Sequence, residues 1–258
     1  MGAMSPALRV LTAALLLANL PAVQARPLTA CSEPGDGPPW LYWDKANGKL
    51  AGFSADLWPA VFARLGLELR MEGKLPWKRC LRAVALGEVD FAIGAYHDAE
   101  RAKLLAFSAP YKTLTPQVFY RRSRPLPIRE KADLKRYRGC GMNGSSYQHY
   151  GLSEKDLDLG SRSYTTLVSK TLLGNCDYFV EELEVMQQID GGRHHYLDDP
   201  ELLHAPVPDA LAPALHLVTA LKGPHVALLP RVDAAIGEMK KSGDYERLWR
   251  ANAGGLPY

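Results

Sequence analysis

From residue 53 to residue 93 the hydrophobic positions change period repeatedly, and each change marks an element. Leu57, Val61 and Leu65, with Trp58 and Phe62 beside them, share one face at helical spacing. Ser54 stands as the N-cap of this helix, Asp56 falls in its first turn, and Gly66 ends it. Leu67-Glu68-Leu69-Arg70-Met71-Glu72 then alternates as a strand does. A second helix is predicted from about Trp77 to Leu86, with Leu81, Val84 and Ala85 inward and Gly87 as its stop. Val89-Asp90-Phe91-Ala92-Ile93 reads as the next, buried strand. Strands alternating with helices imply parallel pairing through right-handed crossovers, and so an α/β fold.

One segment returns 87 residues later. Leu86-Gly87-Glu88-Val89-Asp90-Phe91-Ala92-Ile93 is echoed by Leu173-Gly174-Asn175-Cys176-Asp177-Tyr178-Phe179-Val180. Each copy reads as a helix end, a glycine, two residues, an aspartate and a buried strand that opens on an aromatic. Two α/β units are therefore expected. Between them, Arg121-Arg122-Ser123-Arg124-Pro125-Leu126-Pro127 reads as a solvated, proline-broken connector. The last part of the chain holds a strand near Leu215–Leu221 and a helix over Leu229–Lys241 with Val232, Ile236 and Met239 inward. A final helix is expected over Asp244–Ala251.

Composition narrows the function classes. The 258 residues are 47% hydrophobic and 23% charged, which argues against disorder, collagen-like repeats and coiled coil. A net charge of +3 is too small for the electrostatic footprint of a nucleic-acid or anionic-membrane binder. At the N-terminus Arg9 precedes the apolar run Val10–Leu20, and Val23 and Ala25 occupy the positions a signal peptidase reads. Residues 1–25 are thus expected to be a secretory signal peptide, and the mature chain a soluble periplasmic protein. The rival is a lipid anchor at Cys31, because Leu28-Thr29-Ala30-Cys31 has a lipobox pattern, but Arg26 and Pro27 separate it from the apolar run. Export lets disulfides persist, and four cysteines (Cys31, Cys80, Cys140, Cys176) allow three connectivities. Their spacings exclude a C-x-x-C zinc or redox site.

Several marks in order resemble the periplasmic solute-binding proteins of polar amino-acid transporters. They are Pro38-Pro39-Trp40, Gly48-Lys49-Leu50-Ala51-Gly52-Phe53, Pro76-Trp77, Leu86-Gly87-Glu88-Val89-Asp90, Glu100-Arg101 and Phe107-Ser108-Ala109-Pro110-Tyr111. Asn143-Gly144-Ser145-Ser146-Tyr147, Leu173-Gly174-Asn175-Cys176-Asp177 and Ser242-Gly243-Asp244-Tyr245-Glu246 complete the set. The resemblance implies the two-lobed type II periplasmic binding protein fold, its lobes joined by two crossing strands near Pro116–Tyr120 and Asp209–Leu215. Lobe 1 would be residues 26–116 and 214–258, and lobe 2 residues 117–213. Disulfides Cys31–Cys80 and Cys140–Cys176, one in each lobe, fit that architecture.

Carried over to these positions, the resemblance makes Arg101 the clamp on a ligand carboxylate, a task that suits a planar guanidinium fork. Gly94 and Tyr96 would lie under the ligand. The stretch from Asp90 to Arg101 is one residue shorter than the family pattern, and His97-Asp98-Ala99 replaces its usual threonine, with Asp98 able to cap the next helix. In lobe 2, Ser145 and Ser146 resemble a turn at a helix N-terminus that holds the carboxylate's other side. Glu182, favoured over Glu181, takes the place of the family's ammonium-binding aspartate. Trp40, Trp77 and Tyr96 are candidate pocket walls.

The expected function is capture of a small zwitterion such as a polar amino acid by a monomer, for an inner-membrane ABC permease or a membrane sensor. No cofactor, metal or nucleic acid is implied. The alternative is a secreted cyclohexadienyl (prephenate or arogenate) dehydratase-like enzyme, with Glu181 or Glu182 as a general acid of raised pKa. His194 and His195, adjacent in sequence, read as loop residues.

Overall fold

The computed structural model describes residues 26–35, 38–189, 196–253, 256 and 258; the expected signal peptide and His194-His195 lie outside them. The first half builds β1 (Leu28–Cys31), β2 (Tyr42–Asp44), β3 (Lys49–Ala51), α1 (Phe53–Arg64), β4 (Leu69–Glu72), α2 (Trp77–Ala85), β5 (Phe91–Tyr96), β6 (Leu105–Phe107) and β7 (Lys112–Thr113). Next come β8 (Pro116–Arg121), β9 (Gly139–Met142), β10 (Leu157–Ser161), α3 (Tyr164–Leu172), β11 (Tyr178–Glu182), α4 (Leu183–Ile189) and β12 (Leu202–Pro206). The chain closes with β13 (Ala214–Ala220), α5 (Leu229–Lys241) and α6 (Asp244–Ala253).

These strands form two main sheets. One runs β4-β1-β5-β13-β6, with β7 on β13; the other runs β10-β9-β11-β8-β12. β1 pairs in parallel with β4 and β5, and β9 in parallel with β10 and β11, as the strand–helix alternation requires. β13 and β8 enter antiparallel, each being a strand on which the chain arrives from the other sheet. The chain passes between the sheets at residues 113–116 and again at 206–214, the return running without strand pairing over residues 207–213 and turning at Pro208-Asp209, where Asp209 has φ 53°.

The first sheet carries an aromatic core. Phe53 packs edge-on against Tyr245 and Trp249 at 5.2 Å between ring centroids, and Phe62 meets Phe91 at 5.2 Å. The second sheet is buried on both faces, which explains why β11 is buried along its whole length and opens on the apolar run Tyr178-Phe179-Val180. Tyr178 and Val180 join one cluster with Val118, and Phe179 the other with Phe119 and Met186.

The internal repeat has a physical content. Gly87 and Gly174 both adopt left-handed φ, 74° and 79°, to stop their helices. Immediately before each strand a buried aspartate ties it to its neighbour. Asp90 accepts the Thr29 N–H at 2.8 Å and pairs with Arg26 at 2.7 Å. Asp177 accepts the Arg138 N–H at 2.9 Å and pairs with Arg124 at 2.8 Å. The connector at Arg121–Pro127 is therefore more than a solvated loop: Arg124 is anchored and Leu126 is buried.

Several local expectations are corrected. The N-cap of α1 is Gly52, while Ser54 is buried and caps nothing. Gly52 has φ 105°, and a Cβ there would lie 2.4 Å from the Trp40 carbonyl oxygen, so close backbone approach sets the helix start. The inward face of α2 is Cys80, Ala83 and Val84, and Leu81 and Ala85 are only half-buried. Cys80, bonded to Cys31 of β1, lies on this buried face and shares a cluster with Ala83 and Val84. The strand foreseen from Val89 starts at Phe91 and continues to Tyr96. Cys140 is joined to Cys176, with Cα atoms 5.9 Å apart. Closing loops with sequence separations of 49 and 36, the two bonds each restrict the unfolded chain by about 4 kcal/mol. A Cys31 sulfur bonded to Cys80 cannot also carry a lipid, which removes the anchor reading.

Candidate functional site

A cleft of about 330 Å³ opens between the two sheets. Arg101, Glu182, Ser145, Ser146, Gly94, Tyr96, Trp40 and Trp77, the eight residues singled out from sequence, all line it. They stand at the carboxyl ends of parallel strands, where the loops of open α/β sheets gather ligands.

Gly94 explains how β5 presents its end to the cleft. Pairing between β5 and β13 shifts at this point, with Ala95 opposite His216 but Ile93 opposite Leu217, so Gly94 is the extra residue of a bulge. Its φ of 92° favours glycine. Two residues on, the Tyr96 hydroxyl crosses to the other sheet and donates to Glu182 Oε2.

Arg101 is held in the cleft wall. Its backbone N–H donates to Asp98 Oδ1 at 2.8 Å, and its Nε lies 3.2 Å from Asp98 Oδ2. Asp98 thus accepts from the first residue of a single 3-10 turn, Arg101–Lys103, whose N-cap position is Glu100, and no α-helix starts here. Nη1 donates to the Tyr96 carbonyl at 3.0 Å and Nη2 to the Gly144 carbonyl at 3.2 Å, the latter from the opposite sheet. Three of five N–H groups are therefore committed, and one on each terminal nitrogen stays available to a carboxylate. Burial lowers the guanidinium pKa, against the opposing charge of Asp98.

Both adjacent glutamates line the cleft, so the choice between them was too narrow. They close β11, where the strict alternation of strand faces ends. Glu182 Oε1 accepts from His149 Nε2 and from the Tyr150 hydroxyl, each at 2.9 Å. Burial pushes this carboxylate up, but hydrogen bonds from His149 and Glu181, with the His149 charge and Tyr96, outweigh it and bring it to about 2. Glu181 goes the other way: burial, then the Glu182 charge, raises it well above the ordinary range. The pair is thus biased in opposite directions, Glu181 toward its neutral form and Glu182 toward its charged one. Tyr164, Tyr150 and Tyr96 enclose it, each with its phenol pKa raised first by burial and then by the glutamates.

Ser145 and Ser146 sit on a turn at the end of β9, with the Ser145 N–H donating to the Met142 carbonyl at 3.3 Å. The helix expected after them is only the 3-10 turn Gln148–Tyr150, which instead delivers His149 and Tyr150 to Glu182. Trp77 opens α2, its N–H donating to Glu33 Oε2 at 3.1 Å. Trp40 belongs mostly to the core, 5.0 Å from the Trp249 ring, and shows the cleft one edge. Sequence reasoning missed His149, Tyr150, Tyr164, Glu33 and Arg162. The signal for the first two was their position just beyond the Gly-Ser-Ser turn.

Such a cleft between two α/β sheets, with a guanidinium on one side and a carboxylate on the other, defines a small-molecule binding protein. The chain belongs to the bacterial extracellular solute-binding proteins, family 3, whose family model matches residues 29–253. No curated protein matches it. Among solved structures it is similar to the arginine-, lysine-, histidine-binding protein ArtJ of Geobacillus stearothermophilus, at 20% identity over 90% of this chain and 97% of that one, TM-score 0.70. It is similar to a histidine kinase sensor domain related to periplasmic binding proteins, at 24% identity over 90% and 98%, TM-score 0.72. The ancestral amino-acid-binding protein AncCDT-1, a precursor of cyclohexadienyl dehydratase, shares 21% identity over 88% and 95%, TM-score 0.67.

Proposed function

We propose that the protein captures an α-amino acid between its sheets in the periplasm and delivers it, as a monomer, to an inner-membrane ABC transporter. The observation that carries the reading is Arg101 and Glu182 in one cleft, held by opposite sheets. The two open N–H groups of Arg101 match a carboxylate, and the Glu182 carboxylate in the same cleft matches an ammonium. Ser145 and Ser146 face the same space, and Trp40, Trp77 and Tyr96 wall it. A volume near the lower end of small-molecule sites suits a solute of amino-acid size. ArtJ, an arginine-, lysine-, histidine-binding protein, has this same fold. Denaturing the purified protein and identifying released small molecules by mass spectrometry tests the reading. An α-amino acid is expected; a solute without a carboxylate overturns it.

One observation favours a second reading. A neutral Glu181 beside the Glu182 carboxylate is the kind of acid that protonates a leaving hydroxyl, and the precursor of a cyclohexadienyl dehydratase shares the fold. Turnover of prephenate or arogenate by the purified protein would establish that enzyme in place of a carrier.

A further inference from the structure

The charged groups of the cleft are mostly matched inside the protein. Arg101 has Asp98, Glu182 has His149, and Glu33 accepts the Trp77 N–H. Arg162 differs. It lines the cleft and is exposed, and among the described residues no carboxylate or other acceptor lies within ion-pair or hydrogen-bond reach of it.

Its place in the fold follows from β10. Ser161, the last residue of that strand, accepts the Asn143 N–H at 3.1 Å, which sets Arg162 alongside the turn that carries Ser145 and Ser146. Arg162 and the turn thus leave the carboxyl ends of neighbouring parallel strands, β10 and β9. Ser163 follows and accepts the Thr166 N–H at 3.2 Å as the N-cap of α3, which fixes the backbone on which Arg162 stands.

We infer that Arg162 determines specificity: it pairs with an anionic side chain of the bound amino acid, so that acidic amino acids are preferred over neutral and basic ones. The inference rests on the amino-acid reading above. A cationic side chain entering the cleft would meet the Arg162 charge. Of the three glutamates that line the cleft, Glu182 already serves Tyr96, His149 and Tyr150, Glu181 is pushed toward its neutral form by burial, and Glu33 follows β1 in the other sheet, where it accepts the Trp77 backbone N–H. A side-chain carboxylate, by contrast, offers Arg162 the planar partner that a guanidinium binds through two parallel hydrogen bonds. Closure of the two lobes over the ligand would withdraw that pair from solvent and make it worth more than a surface salt bridge. The inference thus separates this chain from ArtJ, the arginine-, lysine-, histidine-binding protein.

Calorimetry with L-glutamate, L-glutamine, L-aspartate, L-asparagine and L-arginine, on wild type and Arg162→Gln, tests it. Wild type should bind one acidic amino acid at least about tenfold tighter than its amide, and Arg162→Gln should erase that ratio while changing amide binding by less than about threefold. Because Arg162 is exposed, the variant should keep the wild-type melting temperature, and Arg162→Lys should restore part of the preference. Tighter binding of an amide or of arginine by wild type overturns the inference and leaves the amino-acid reading standing. So does a ratio unchanged in Arg162→Gln. Binding of no amino acid at all overturns both.

Discussion

The two adjacent glutamates should respond in opposite ways to the same substitution. Glu182 is fully buried and its carboxylate serves His149, Tyr150 and Tyr96. Replacing it with glutamine removes the charge those donors were arranged around, and breaking a buried charged cluster typically costs about 3–5 kcal/mol. For a chain of this size about 1 kcal/mol moves the melting temperature by roughly 2–4 °C, so Glu182→Gln should melt at least about 6 °C lower. Burial and the Glu182 charge raise the Glu181 pKa and so favour its neutral form in the folded protein, and glutamine reproduces that shape, so Glu181→Gln should stay within about 1 kcal/mol of wild type near pH 5. The pH dependence separates them further. The folded pKa of Glu181 lies above its ordinary 4.5, so its contribution is complete below pH 4.5 and is lost as pH rises. The loss amounts to at most about 1.4 kcal/mol per pH unit. Between pH 5 and pH 7, Glu181→Gln should therefore gain up to roughly 2–3 kcal/mol relative to wild type. Glu182, held at about 2, contributes stability above pH 4.5 that disappears as pH falls through that value. Scanning calorimetry of the three proteins from pH 3 to pH 8 reads both effects. Equal destabilisation by the two substitutions, or parallel pH profiles for wild type and Glu181→Gln, would refute the assignment of charge within the pair.

Asp177→Ala removes an acceptor buried beneath β11 and should cost about 1.5–3 kcal/mol, its half-exposed Arg124 partner adding little; a melting temperature within 1 °C of wild type would contradict the reading of the repeat. Because the chain passes between the sheets at residues 113–116 and 206–214, ligand should draw the two lobes together by a hinge motion. Small-angle scattering should then show a smaller radius of gyration at saturating ligand, and an unchanged profile with binding confirmed would argue against closure.

The fold was readable wherever a residue's role is local. The helical face of α1, the stop at Gly66, the copies around Asp90 and Asp177, and α5 over Leu229–Lys241 all follow from spacing and backbone freedom. The N-cap of α1 did not, because Gly52 is dictated by the approach of Trp40, a contact across twelve residues of chain that no local rule registers. At the site, residue identity could be carried over from the family pattern, yet commitments could not. That Arg101 spends donors on Tyr96 and Gly144, and that Glu182 is ringed by His149, Tyr150 and Tyr96, depends on how two sheets face each other. The pair Glu181–Glu182 shows the same limit: strand alternation assigns opposite faces, whereas the strand's end lets both reach the cleft.

The central claim is that Arg101 clamps the carboxylate of the captured solute. Truncating one partner of a desolvated charge pair typically costs about 2–5 kcal/mol, so Arg101→Ala should weaken binding roughly 30-fold or more. Titration calorimetry of wild type and Arg101→Ala with the amino acid released from the purified protein measures this directly. A loss of that size with a retained melting transition is the predicted result; undiminished affinity in Arg101→Ala would contradict the account.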